Sequence, residues 1–248
     1  MNAIRSLLVF AWIVLSIIPM GLGLILSSFF VSDNKLWWWF AVPWLRGVIV
    51  VARSVGRVDY TVHGEENLPA EDDMSRTILC PKHQSTWETF FFPSMTSHPL
   101  AYVFKQELLR IPVFGGCIGR LGMIHIDRSN RSEAWAKVAE QGEVLMDRGK
   151  WIIMFPEGTR TERGSQGSYK AGATRLAVTT GASVVPIAVT SGRCWPRRSF
   201  WLIPGNIDVS IGPAISAIGR EPEELMQQVE HWIETEMRRL DAQAYVQS

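Results

Sequence analysis

The chain has 248 residues, a net charge of +1 and three cysteines. That length allows one large domain or two small ones. Cys80, Cys117 and Cys194 are too scattered for a disulfide framework or a zinc site and point to a reducing setting, and no Lys/Arg block marks nucleic acid as a partner.

Residues 6–32 carry no charge. As a helix, Ser6–Val31 would extend roughly 39 Å, more than the hydrocarbon core of about 30 Å. The run is too long for a signal peptide, and no Ala-x-Ala-like site follows it. Pro19, Gly21 and Gly23 weaken its middle, so a kink and a turn are expected there. Leu36–Ala52 is a second apolar stretch, interrupted by Arg46, and Trp37-Trp38-Trp39 at its start reads as an interfacial anchor. Residues 1–57 are therefore expected to form a membrane-attaching helical element, and 58–248 an α/β domain that folds without it. Spanning and lying in one leaflet both remain open. Lys35, Arg46, Arg53 and Arg57 place the following domain on the cytoplasmic side if the first run spans.

From Asp59 onward, short apolar runs alternate with helical segments. The expected strands are Tyr60–Val62, Thr77–Cys80, Ala101–Phe104, Met123–Ile126, Trp151–Phe155, Val184–Val189 and Ile207–Ile211. The expected helices are Ser85–Ser94, Ser132–Asp147, Ala171–Thr180 and Glu223–Ala244. This alternation predicts an α/β fold with a central, mostly parallel sheet flanked by helices.

After the strand at Thr77–Cys80, the sequence places His83 and Glu88 five residues apart. On a continuous helix that step turns by roughly 140°, so the two would not share a face. Ser85-Thr86-Trp87-Glu88 reads as a capping box, which puts His83 just outside the helix start, where the chain can fold back. Glu88 then either caps the helix or orients His83 as a general base; both readings are open from these residues alone. No Gly-x-Ser-x-Gly elbow occurs, so a base here would act on a substrate hydroxyl. Arg128 follows the strand at Met123–Ile126, and Phe155-Pro-Glu-Gly-Thr-Arg160 follows another. Arginines at strand C-terminal ends suit phosphate. Gly192–Trp201 mixes basic and aromatic residues and reads as a further membrane contact, a dock for an acidic carrier, or a solvated loop.

The ordered set Lys82-His-Gln-Ser-Thr-Trp-Glu88, Gly122…Arg128, Phe155-Pro-Glu-Gly-Thr-Arg160 and Val185-Pro186 resembles the glycerolipid acyltransferases, more narrowly the bacterial 1-acylglycerol-3-phosphate acyltransferases. The resemblance covers about residues 60–215, with lesser matches at Phe104–Pro112 and Tyr169–Ala173. It departs from the family pattern where Glu88 replaces the usual Asp. It implies that His83 is the general base and Glu88 its orienting acid. It further implies that Arg128, Glu157, Gly158, Thr159, Arg160, Lys105 and Lys170 bind substrate, and that Pro186, within Val184–Val189, shapes the donor side. The implied reaction moves an acyl chain from a thioester, on coenzyme A or acyl carrier protein, to the sn-2 hydroxyl of lysophosphatidic acid, giving phosphatidic acid. No metal or cofactor is implied. The implied setting is the bacterial inner membrane, with the catalytic domain facing the cytoplasm. The alternatives are another lysolipid or glycerol 3-phosphate as acceptor, or a non-catalytic lipid-phosphate binding protein.

Overall fold

Alternation along one central strand sets the layers. In β2 (Thr77–Pro81), Leu79 packs into one core with Trp87, Ile153 and Val185, whereas Ile78 and Cys80 face a second core with Ile152, Val184 and Leu176. The computed structural model describes residues 2–127 and 131–246, with the backbone alone at 131–134. Around β2 the described strands form one sheet: β1 (Val58–His63), β3 (Leu100–Lys105), β4 (Ile124–Ile126), β5 (Trp151–Ile153), β6 (Ser183–Val189), β7 (Gly205–Ile211) and the short β8 (Ile215–Ser216). Its order is β1-β7-β6-β2-β5-β3-β4, with β8 beside β6. Pairing is parallel except at β6–β7 and β6–β8.

The helices divide between the two faces. The N-terminal element consists of α1 (Asn2–Ser27), the single turn α2 (Asp33–Leu36), a π-helical turn at Trp37–Ala41 and α3 (Val42–Ser54). It covers one face together with α4 (Trp87–Met95) and the short α5 (Phe114–Ile118). The other face is covered by α6 (Arg131–Asp147), α7 (Gly172–Thr180) and α8 (Pro222–Leu240), followed by the single turn α9 (Ala242–Tyr245). In α8, Pro222 sits in the first turn with Glu223 and Glu224, and Arg238 and Arg239 occupy the last, each complementing the helix dipole.

The N-terminal element differs from its expected form in three ways. First, α1 runs unbroken through Pro19. Its glycines serve close contact instead: a Cβ at Gly23 would meet Phe40 Cε1 at 2.9 Å, and one at Gly21 would meet Val113 Cγ1 at 2.4 Å. Second, Trp37 is buried in the core, and only Trp38 and Trp39 face outward. Third, Val9, Leu24, Trp37, Val42 and Ile49 share one core with Trp87, Phe91 and Trp151 of the domain. The boundary near residue 57 therefore separates two stretches of sequence that pack as one body.

Two polar contacts tie α1 down at opposite ends. Ser6 Oγ accepts from Leu202 N at 2.8 Å, and Arg120 Nε donates to Ser28 Oγ at 2.9 Å. Just beyond, Lys150 Nζ, fully buried, lies 2.7 Å from Asp33 Oδ2 and donates to Leu121 O. Burial pushes Lys150 below its ordinary value. For Asp33, burial works upward, but the Lys150 hydrogen bond and charge bring it below its ordinary value.

Candidate active site

His83 stands two residues past the end of β2. Lys82 N still donates to Ile187 O of β6 at 2.8 Å, so the ladder continues to the residue before the histidine. The chain then turns, and α4 begins at Trp87. Thr86, not Ser85, is the residue at the cap, and Ser85 Oγ accepts from Trp87 N at 3.0 Å.

Glu88 is fully buried and contacts both the turn before α4 and the imidazole. Its Oε1 accepts from Gln84 N at 2.9 Å, from Ser85 N at 2.8 Å and from the Ser191 hydroxyl, while Oε2 lies 2.5 Å from His83 Nδ1. Three donors hold one oxygen so that the other faces the ring. The carboxylate fixes the ring proton on Nδ1 and leaves Nε2 as the acceptor.

The loop after β5 wraps the same histidine. Phe155 stacks on the imidazole with centroids 3.8 Å apart. His83 N donates to Glu157 Oε2 at 2.7 Å, and His83 O accepts from Thr161 N at 2.8 Å and Thr161 Oγ1 at 3.1 Å. This requires the carboxylate to turn inward, and Gly158 supplies the turn in the left-handed region (φ 67°), with its N–H donating to Phe155 O.

Glu157 is consequently not in reach of a substrate. It is buried, and its Oε1 lies 2.7 Å from Lys82 Nζ. Burial raises its carboxyl above the ordinary value against the pull of Lys82. Lys82 Nζ, also buried, lies 2.6 Å from Glu234 Oε1 of α8, which further accepts from Tyr169 OH at 2.8 Å. The expected substrate contact at Glu157 is corrected to an internal brace. Pro186 sits in mid-β6 opposite Cys80, buried against Gly212, and is not among the residues lining the two cavities described next.

Two cavities meet beside His83. One, of about 390 Å³, is apolar and lies between the N-terminal element and the domain, lined by Ile17, Met20, Leu24, Phe40 and Leu45. Arg160 is the charged side chain in its wall, half-buried and without an ion pair among the described residues. The other, of about 700 Å³, is lined by His83, Phe155, Gly158, Lys105 and Lys170. Thr89, Tyr102, Phe104 and Leu108 line both, which makes them adjoining compartments. Burial, with Glu88 nearby, pushes the Tyr102 phenol upward and keeps it neutral. Thr159 is exposed on the same loop, and Arg128 lies outside the described residues. Among the described residues, no cluster of His, Cys, Asp and Glu offers a metal site.

Residues 59–190 match the family model described as acyltransferase. The chain belongs to the acyltransferase family. It is 41% identical over 197 residues to a 1-acyl-sn-glycerol-3-phosphate acyltransferase of Pseudomonas aeruginosa, covering 78% of this chain and 75% of that one. It is 31% identical over 120 residues to the Escherichia coli protein of the same name, covering 48% and 49%. The crystal structure of a 1-acyl-sn-glycerophosphate (LPA) acyltransferase from Thermotoga maritima shares the fold, with a TM-score of 0.80 over 97% of this chain and 96% of that one at 24% identity.

In this acyltransferase the sequence reading missed Thr161, Ser191 and Glu234. Thr161 is the residue after the Phe-Pro-Glu-Gly-Thr-Arg motif and was one position from view. Ser191 follows a strand that gives no hint of a partner 103 residues away. Glu234 is one of several acids on α8, and only tertiary packing distinguishes the one turned inward.

Proposed function

We propose that the protein transfers an acyl chain from an acyl thioester to the sn-2 hydroxyl of 1-acylglycerol 3-phosphate, giving phosphatidic acid. The observation that carries this reading is the position of His83. Its Nδ1 is held by Glu88, and its ring lines a cavity that adjoins an apolar compartment containing Arg160. An acceptor with one acyl chain and one phosphate fits a site that pairs an alkyl-sized hollow with a guanidinium. The names of the relatives support the same acceptor.

In the reaction, His83 Nε2 takes the proton of the sn-2 hydroxyl as that oxygen bonds to the thioester carbonyl carbon. The resulting imidazolium is stabilised by Glu88. The carbon–sulfur bond then breaks, and the thiolate recovers the proton from Nε2. Phe155, Glu157 and Thr161 fix the ring and backbone of His83, so little reorganisation accompanies proton transfer. Lys105 and Lys170, exposed along the larger cavity, suit the phosphates of coenzyme A or the phosphopantetheine of acyl carrier protein. No cofactor enters beyond this co-substrate.

The setting is a membrane surface, and we assign it to the cytoplasmic face of the bacterial inner membrane. Among the described residues, α1 is the helix long and apolar enough to cross a bilayer. Its outer stripe (Leu7, Leu15, Ile18, Leu22, Leu26) is exposed, while both its ends are tied to the domain. A helix held flat in this way enters one leaflet rather than crossing two.

Thiol release from acyl-coenzyme A by the detergent-purified protein tests the reading. Release should depend on 1-acylglycerol 3-phosphate and yield phosphatidic acid. Equal release without acceptor, or preference for glycerol 3-phosphate, overturns it.

A further inference from the structure

The turn after β6 exposes large apolar side chains without burying them elsewhere in the protein. Phe200, Trp201 and Ile203 are 72%, 59% and 47% exposed, while Leu202 between them is 2% exposed. Leu202 is the fixed point. Its N–H donates to Ser6 Oγ at the start of α1, and its Cδ1 lies 3.0 Å from where a Cβ on Gly56 would stand, just past the end of α3. Phe200 and Trp195 both pack edge-on against Phe10 of α1, with centroids 5.6 and 5.4 Å away. Gly205 N donates to Arg57 O. The turn is thus clamped between the first residues of α1 and the last of α3.

Charge accompanies the aromatics. Arg197 and Arg198 precede Phe200, Arg5 is next to Ser6, and Arg57 is next to Gly56. Arg198 is exposed and adopts a left-handed backbone (φ 57°) that most side chains avoid. The exposed stripe of α1 begins here with Ile4, Leu7 and Leu8, so the turn extends an apolar surface already present and rims it with guanidinium groups. Arg197 lies 4.0 Å from Glu162, whereas Arg5, Arg57 and Arg198 have no ion pair among the described residues, and aromatic and aliphatic tips beside such basic groups are the pattern of an anionic bilayer interface.

We propose that Arg197–Ile203 is a second bilayer contact, which inserts Phe200, Trp201 and Ile203 among lipid headgroups and sets its arginines against anionic ones. The proposal rests on α1 lying in the membrane. Two contacts at separate points on the surface fix the tilt of the domain, and with it the height of the His83 site above the lipid.

The test labels the full-length protein at Trp201→Cys with an environment-sensitive fluorophore; Cys80, Cys117 and Cys194 are buried, so the introduced thiol is the reactive one. Leu15→Cys on α1 serves as the reference. On phosphatidylglycerol vesicles, both labels should shift to shorter wavelength, and lipid nitroxides placed at headgroup depth should quench the label at 201. Arg198→Glu should weaken vesicle binding about fivefold. A shift at 15 with none at 201 overturns the proposal and leaves the α1 reading intact. No shift at either position overturns both. A response at 201 to acyl carrier protein but not to vesicles overturns it in favour of a protein partner.

Discussion

Glu88 divides its two oxygens between the backbone and the imidazole, and this division predicts how substitutions will behave. In Glu88→Gln, the remaining oxygen can still accept from Gln84 N, Ser85 N and the Ser191 hydroxyl, so the start of α4 should survive. The new amide, however, presents an N–H to His83 Nδ1 and favours the tautomer whose Nε2 carries the proton. We expect kcat to fall roughly 10²–10⁴-fold, as for His83→Ala, with little change in acceptor KM or melting temperature. Near-normal turnover by a folded Glu88→Gln protein would reduce Glu88 to a helix cap. Arg160 belongs to the other half of the site. Its guanidinium has no ion-pair partner among the described residues, so it is available to a phosphate already in the ground state. Removing a charged hydrogen bond of about 1.5–3 kcal/mol should raise acceptor KM roughly 10–150-fold in Arg160→Ala, with Lys restoring only part of the loss. Steady-state kinetics on both variants, with an unchanged KM for Arg160→Ala as the adverse result, checks this assignment.

At the level of elements, the site is a junction of the β2–α4 turn, the loop after β5 and α8, joined by Lys82 between Glu157 and Glu234. The three groups carry unequal burdens. Lys82→Met leaves two carboxylates buried without their cation and should cost roughly 3–5 kcal/mol of stability. Glu234→Gln retains the Lys82–Glu157 pair and an acceptor for Tyr169, so its cost should be much smaller. Chemical denaturation in detergent distinguishes them; equal stabilities would mean the brace is dispensable. These contacts also show what the sequence could and could not reveal. The strands were legible because β-branched runs such as Val184–Val189 are bounded by turn residues, and each expected strand lies at its predicted place within a residue or two. The two-residue β8 is too short to leave a pattern. The His83–Glu88 contact could be read because both partners lie within six residues, on either side of a helix start. The Glu157 brace could not, because its partners come from β2 and α8 and meet only across the folded sheet. The same motif that pointed to phosphate binding at Glu157 also fits an inward carboxylate, and only its burial separates the two.

For the molecule as a whole, the question is whether 58–248 can stand alone. The uncharged N-terminal run and the change of style at Asp59 read as an anchor followed by an independent domain, because sequence reveals hydropathy but not which face of a helix is covered. In the structure, one stripe of α1 and the inner face of α3 share a core with Trp87, Phe91 and Trp151, while the rest of α1 is exposed, and Trp44 Nε1 donates to Ser16 Oγ between the two helices at 2.9 Å. Deleting residues 1–57 would strip Val9, Leu24, Trp37, Val42 and Ile49 from that core and leave Lys150 buried without Asp33. Each large apolar side chain taken from or uncovered in a core costs about 1.5–3 kcal/mol, and a domain holds only about 5–15 kcal/mol in reserve. The deletion should therefore yield an unfolded or aggregated chain even in detergent, read as loss of a cooperative melt and of protease resistance. It should also remove the wall of the 390 Å³ cavity formed by Ile17, Met20 and Leu24, so no acyl transfer should remain. A soluble fragment 58–248 with a cooperative melt would mean that the shared core contributes little and that the N-terminal helices are only an anchor. If the prediction holds, attachment to lipid and formation of the acyl compartment are one structural task, and neither can be altered without the other.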